Sequence, residues 1–129
     1  MTQALAGFDE HGLILATDSM ATRFTPDGGT ELFNVEKLFR LGSHCALLSG
    51  GAGVSVPLSR ALAHEVGRRR GLEDPEEIAD FALPFLSQGY ARYLREHGPE
   101  PEDFRRIYFI LAGYSPEKPP PGYYLFLLG

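Results

Sequence analysis

The hydrophobic period of this chain switches at Gly50, Gly51 and Gly53, and that switch constrains the fold more than any other feature. Before it, apolar residues come in short runs broken by turn-forming clusters; after it, Leu58, Leu62 and Val66 recur every four residues. Gln3–Phe8 and Leu13–Thr17 flank Asp9, Glu10, His11 and Gly12 and read as a β-hairpin. Pro26, Asp27, Gly28 and Gly29 mark a second turn within Arg23–Glu31, after which Leu32–Leu41 resumes an extended pattern. A further hairpin through Gly42 and Ser43 leads into Cys45–Ser49. The first fifty residues therefore read as a meander of strands.

The four-residue period begins near Ser55 and Pro57 and stops before Gly71, which predicts a helix of about four turns. Asp74 is a side-chain N-cap, Pro75 fits a first helical turn, and Glu77 is the capping-box partner of a second helix. One face of that helix carries Ile78, Phe81, Ala82, Phe85, Leu86, Tyr90, Tyr93 and Leu94, and it ends near Gly98 and Pro99. Pro84 lies inside it and predicts a kink, because it lacks the N–H for one backbone bond. Glu100–Asp103 is an acidic connector and Ile107–Ala112 a buried strand. Tyr114–Gly122, with three consecutive prolines, is a long turn before a last strand at Tyr123–Leu128. Strands, then two helices, then strands predict an α+β domain with helices layered on an antiparallel sheet, not alternating βαβ units. At 129 residues a single core is expected.

Composition limits the function classes. A net charge of -5, from 12 basic and 17 acidic side chains, supplies no general attraction for nucleic acid or an anionic membrane. Arg68, Arg69 and Arg70 cluster at the expected C-terminal end of the first helix, where cations complement the exposed carbonyl dipoles. Cys45 is the single cysteine, which excludes an internal disulfide and points to a reducing compartment, the cytoplasm. On its apolar strand it reads as a small buried hydrophobe. The histidines at 11, 44, 64 and 97 have no metal-ligand spacing, so neither a metal nor a cofactor is expected. No leader opens the chain, and no apolar run reaches the about 18 residues that span a bilayer.

Three stretches then stand in order: Thr2 opening the first strand, Gly12-Leu13-Ile14-Leu15-Ala16-Thr17-Asp18-Ser19-Met20-Ala21-Thr22, and Ser49-Gly50-Gly51-Ala52-Gly53 opening a helix. With Val35-Glu36-Lys37-Leu38-Phe39 and Leu111-Ala112-Gly113-Tyr114, they resemble proteasome β-type subunits and related bacterial peptidase subunits, the N-terminal nucleophile (Ntn) hydrolases. The resemblance implies a four-layer αββα sandwich of antiparallel sheets, of which residues 1–129 are the N-terminal part of one domain. It implies catalytic Thr2, Asp18, Lys37 and Gly50. Thr22, Gly50 and Ala52 would offer main-chain groups to an extended peptide, and Leu48 and Val35 would line a pocket for an apolar residue. The implied activity is threonine-type cleavage of peptide or amide bonds, on peptides or unfolded proteins, by a homo-oligomeric ring with a possible ATP-dependent unfoldase as partner.

The chemistry requires a base. A threonine hydroxyl is a weak nucleophile, and an N-terminal residue carries its own base in an α-amino group of pKa about 8. Lys37 against the Thr2 hydroxyl would stabilise the developing alkoxide, with Asp18 holding that lysine and the Gly50 N–H facing the oxyanion. Met1 stands in the way, because an acylated Thr2 nitrogen has no basic lone pair, so activity is conditional on its removal. Each residue also has a structural reading: Thr2 as a strand start, Asp18 as a turn cap, Lys37 as a solvated edge residue, and Gly50 and Gly51 as the turn into the helix. The alternative function is a non-catalytic subunit or binding module that keeps the fold.

Overall fold

The central strands are buried on both faces, and strand parity decides which of their residues meet the helices. The computed structural model describes residues 3–9, 12–98, 106–115 and 122–128. Among them β1 (Ala4–Asp9) and β2 (Gly12–Thr17) form one antiparallel hairpin, and β3 (Met20–Phe24) and β4 (Thr30–Asn34) another. A four-stranded antiparallel sheet follows in the order β5-β6-β7-β8, from Leu38–Arg40, Cys45–Gly51, Ile107–Ser115 and Gly122–Leu128. Helices α1 (Ser55–Arg68) and α2 (Pro75–His97) lie between β6 and β7 in sequence. The described residues thus form an α+β arrangement of antiparallel sheets and two helices, and no helix among them is long and apolar enough to cross a membrane.

One face of the four-stranded sheet is built from every second residue. Phe39 faces Leu47 and Leu47 faces Leu111, and with Cys45 and Phe109 they join Leu62 and Val66 of α1 and Ile78, Ala82 and Leu86 of α2 in a single buried cluster. Leu48 and Ala112 lie on the opposite face and are also buried, because β2 lies against β6 and β7 there. The helices cover one side and the β1–β2 hairpin the other. Burial pushes the Cys45 thiol up to about 12, so it packs as a hydrophobe and has no thiolate to react with.

Helix ends follow the sequence closely. The Asp74 side chain accepts the Glu76 N–H at 3.2 Å and the Ser115 hydroxyl at 2.9 Å, which ties the start of α2 to the end of β7. Helix α2 runs unbroken through Pro84, which is exposed, so the Asp80 carbonyl that loses its partner faces water. At the end of α1, Arg68 and Arg69 straddle Glu65 at 3.3 and 3.4 Å, and the Arg69 guanidinium lies 4.4 Å from the Phe81 ring centre. Two of the three arginines are therefore engaged by side chains as well as standing near the helix terminus.

The extended stretch Leu32–Leu41 differs from expectation, because it is two strands in two sheets. The Val35 N–H still donates to Ser19 beside β3 at 2.6 Å, whereas the Lys37 carbonyl already accepts from Ser49 of β6 at 2.9 Å. The chain crosses between sheets within three residues. Strand β7 runs to Ser115 where a turn was expected from Tyr114, because Tyr114 pairs with Tyr123 of β8 and donates to the His44 carbonyl. Met1, Thr2, Glu10, His11, the Glu100–Asp103 connector and the prolines at 119–121 lie outside the described residues.

Ile78 is fully buried between helix and sheet, while Leu83 on the same helix is 51% exposed. Ile78→Ala is expected to cost about 2–5 kcal/mol of unfolding free energy and Leu83→Ala under about 0.5, measured by denaturant titration.

Candidate active site

Lys37 stands at the sheet crossing with only 6% of its surface exposed, so the reading of it as a solvated edge residue does not hold. An ammonium removed from water needs acceptors. It has the Asp18 carboxylate, Nζ to Oδ1 at 3.1 Å, and it donates to the Met20 carbonyl. Asp18 Oδ1 also accepts the Gln3 N–H at 3.3 Å, and the Asp18 N–H donates to the Gln3 carbonyl at 3.1 Å. Thr17 Oγ1 reaches that same carbonyl at 3.1 Å. The start of β1, the end of β2 and the sheet crossing therefore meet at one carboxylate. The Lys37 hydrogen bond first, and then the Gln3 N–H, hold the Asp18 carboxyl below its ordinary 3.8.

Strand parity decides which main-chain groups are open. The hydrogen-bonded pairs Ser19–Val35 and Thr25–Gly29 set the phase of β3 against β4, so the N–H and C=O of Met20 and Thr22 point away from β4. No other strand among the described residues pairs on that edge. Thr22 thus offers free main-chain groups on the edge that also supplies the Met20 carbonyl to Lys37.

The same argument closes Gly50 and Ala52. The Tyr114 N–H to the His44 carbonyl and the Ala52 N–H to the Arg106 carbonyl, both 2.8 Å, phase the even-numbered residues of β6 toward β7. The Gly50 N–H lies in that ladder opposite Tyr108, and the Ala52 N–H is taken, so neither meets the expectation of a free donor. The Gly51 N–H points the other way, past the end of β5. Gly50 has a packing reason to be glycine, since a Cβ there would overlap the Tyr108 ring. Gly51 has a stronger one, with φ 87° and the main-chain carbonyl of Arg106 where a Cβ would stand.

Of the remaining expected residues, Leu48 is 1% exposed beneath the hairpin and lines no open pocket, which corrects its assignment to one. Val35 is half-buried and adjoins Lys37 through Glu36. Thr2 lies outside the described residues, one residue before the Gln3 amide that binds Asp18. Sequence reasoning missed Gln3, Met20 and Gly51. The period of two, counted back from Thr22, is the signal for the Met20 carbonyl; that for Gly51 needs the β6–β7 register. No group of three or more His, Cys, Asp or Glu side chains arranged to hold a metal occurs among the described residues. No family model and no curated protein matches this chain.

Tyr108 is 36% exposed and can swing outward, whereas the Arg106 carbonyl cannot. Gly51→Ala is therefore expected to destabilise by at least about 1 kcal/mol more than Gly50→Ala in denaturant titration. Because the folded carboxyl of Asp18 is held below 3.8, its stabilisation is complete above that value and is lost as pH falls through the lowered one. Asp18→Asn should lower the melting temperature near neutral pH and change it little in strong acid.

Proposed function

We propose that this chain is an N-terminal threonine hydrolase that cleaves peptide bonds, with the αββα Ntn-hydrolase sandwich as its full architecture. The observation that carries the reading is the Asp18 carboxylate bridging the Gln3 amide and the Lys37 ammonium, which ties the residue following Thr2 to a buried cation. The succession of helices, four-stranded sheet and hairpin supports the sandwich.

In the reaction, the free α-amine of Thr2 takes the Oγ proton as Oγ attacks the substrate carbonyl carbon. Lys37 lowers the energy of the oxygen anion that forms as the proton leaves, and Asp18 holds Lys37 in place. The tetrahedral oxyanion is assigned to the Gly51 N–H in place of Gly50, because the Gly51 N–H is outside the β-ladder. Collapse breaks the C–N bond, the leaving amine takes the proton from the α-ammonium, and water then hydrolyses the threonine ester by the reverse proton path. The substrate adds as a strand along the open edge of β3 at Thr22, which suits an extended peptide. Assembly into a ring of identical subunits is part of the proposal, and an ATP-dependent unfoldase would supply unfolded substrate.

The test uses protein freed of Met1 and a mixed peptide library. Turnover should rise with pH through about 8 as the α-amine loses its proton, vanish in Thr2→Ala, and fall about a hundredfold or more in Lys37→Ala. Equal turnover in Thr2→Ala, or none in any form, contradicts the reading and favours a non-catalytic subunit.

A further inference from the structure

We infer that Thr17 is a positioning residue that acts on the proposed nucleophile through the main chain of Gln3, an inference that rests on the threonine-hydrolase reading. The Thr17 hydroxyl donates to the Gln3 carbonyl at 3.1 Å, and the Asp18 N–H donates to the same oxygen at 3.1 Å. A carbonyl oxygen has two lone pairs, so the two donors fill it. The Gln3 N–H in turn goes to Asp18 Oδ1 at 3.3 Å. Peptide units are planar. The two bonds at the carbonyl therefore fix the unit that joins Gln3 to Ala4, and the bond at the N–H fixes the unit that joins Gln3 to the residue before it.

Gln3 precedes β1 and lies where a hairpin frays unless side chains secure it. Thr17 is the last residue of β2 and pairs with Ala4, the first of β1, with its side chain half-buried. Branching at Cβ restricts χ1, which holds the hydroxyl against the carbonyl. Four consecutive residues then hold different groups: Asp18 and Met20 bind the Lys37 ammonium, Ser19 accepts the Val35 N–H, and Thr17 binds the Gln3 carbonyl. Losing the Thr17 hydroxyl thus leaves the Asp18–Lys37 pair and the open edge at Thr22 in place and loosens the segment that leads to Thr2. Substrate binding is spared and the alignment of the attacking hydroxyl is not, so the loss falls on kcat.

The test compares the full chain freed of Met1 with Thr17→Val and Thr17→Ser, by steady-state turnover of one peptide cleaved by the parent and by amide hydrogen exchange at Gln3 and Asp18. Valine keeps the branched shape, suits a strand and removes the donor, and circular dichroism melts check the fold. In Thr17→Val, kcat should fall about tenfold with KM within about twofold, and both amides should exchange at least about threefold faster. Serine restores the hydroxyl and should recover most of both losses. Turnover or exchange equal to the parent's in Thr17→Val, a loss carried by KM, or a loss that serine does not recover overturns the role of Thr17 and leaves the hydrolase reading standing. A parent with no Thr2-dependent turnover overturns the hydrolase reading, and the role of Thr17 with it.

Discussion

A buried ammonium is expensive, and the arrangement around Lys37 is what meets its cost. With 6% of its surface exposed, Lys37 needs acceptors, and among them are the Asp18 carboxylate and the Met20 carbonyl from the segment that joins β2 to β3. That requirement ties the β1–β2 hairpin to the crossing between sheets. Asp18 in turn anchors the first described residue, Gln3, through both its side chain and its N–H. Three chain segments far apart in sequence are thus held by the hydrogen bonds of two side chains, and the proposed chemistry sits at the point where they meet.

Much of the fold was legible because local signals agreed with the tertiary arrangement. The Asp74–Pro75 start of α2, the four-residue period of Leu58, Leu62 and Val66, and the turns at Gly28 and Gly42 all fall where the sequence places them. What was not legible depends on partners across strands. Leu32–Leu41 reads as one extended run, since nothing local reports that Val35 bonds to one sheet and Lys37 to another. Likewise, the resemblance puts Leu48 in a pocket, and the hairpin lying on it makes it core.

The candidate site divides in the same way. Asp18 and Lys37 were identifiable from the motifs that carry the resemblance, and the structure pairs them. Gly50 and Gly51 are indistinguishable by composition, and they separate only when the β6–β7 register directs one amide into the ladder and its neighbour out of it. Register also explains why Thr22 has open main-chain groups while Ala52 does not. A one-residue slip would exchange these roles, so the site is a property of strand pairing as much as of side chains.

The central claim is that Asp18 is bound by Lys37 and by the amide of Gln3, and the titration of its side-chain carboxyl carbon by NMR tests it most directly. In the parent protein Asp18 should titrate clearly below 3.8, and in Lys37→Met its midpoint should move back up toward that value. An Asp18 that titrates at its ordinary value in the parent, or that does not respond to loss of Lys37, would contradict the account.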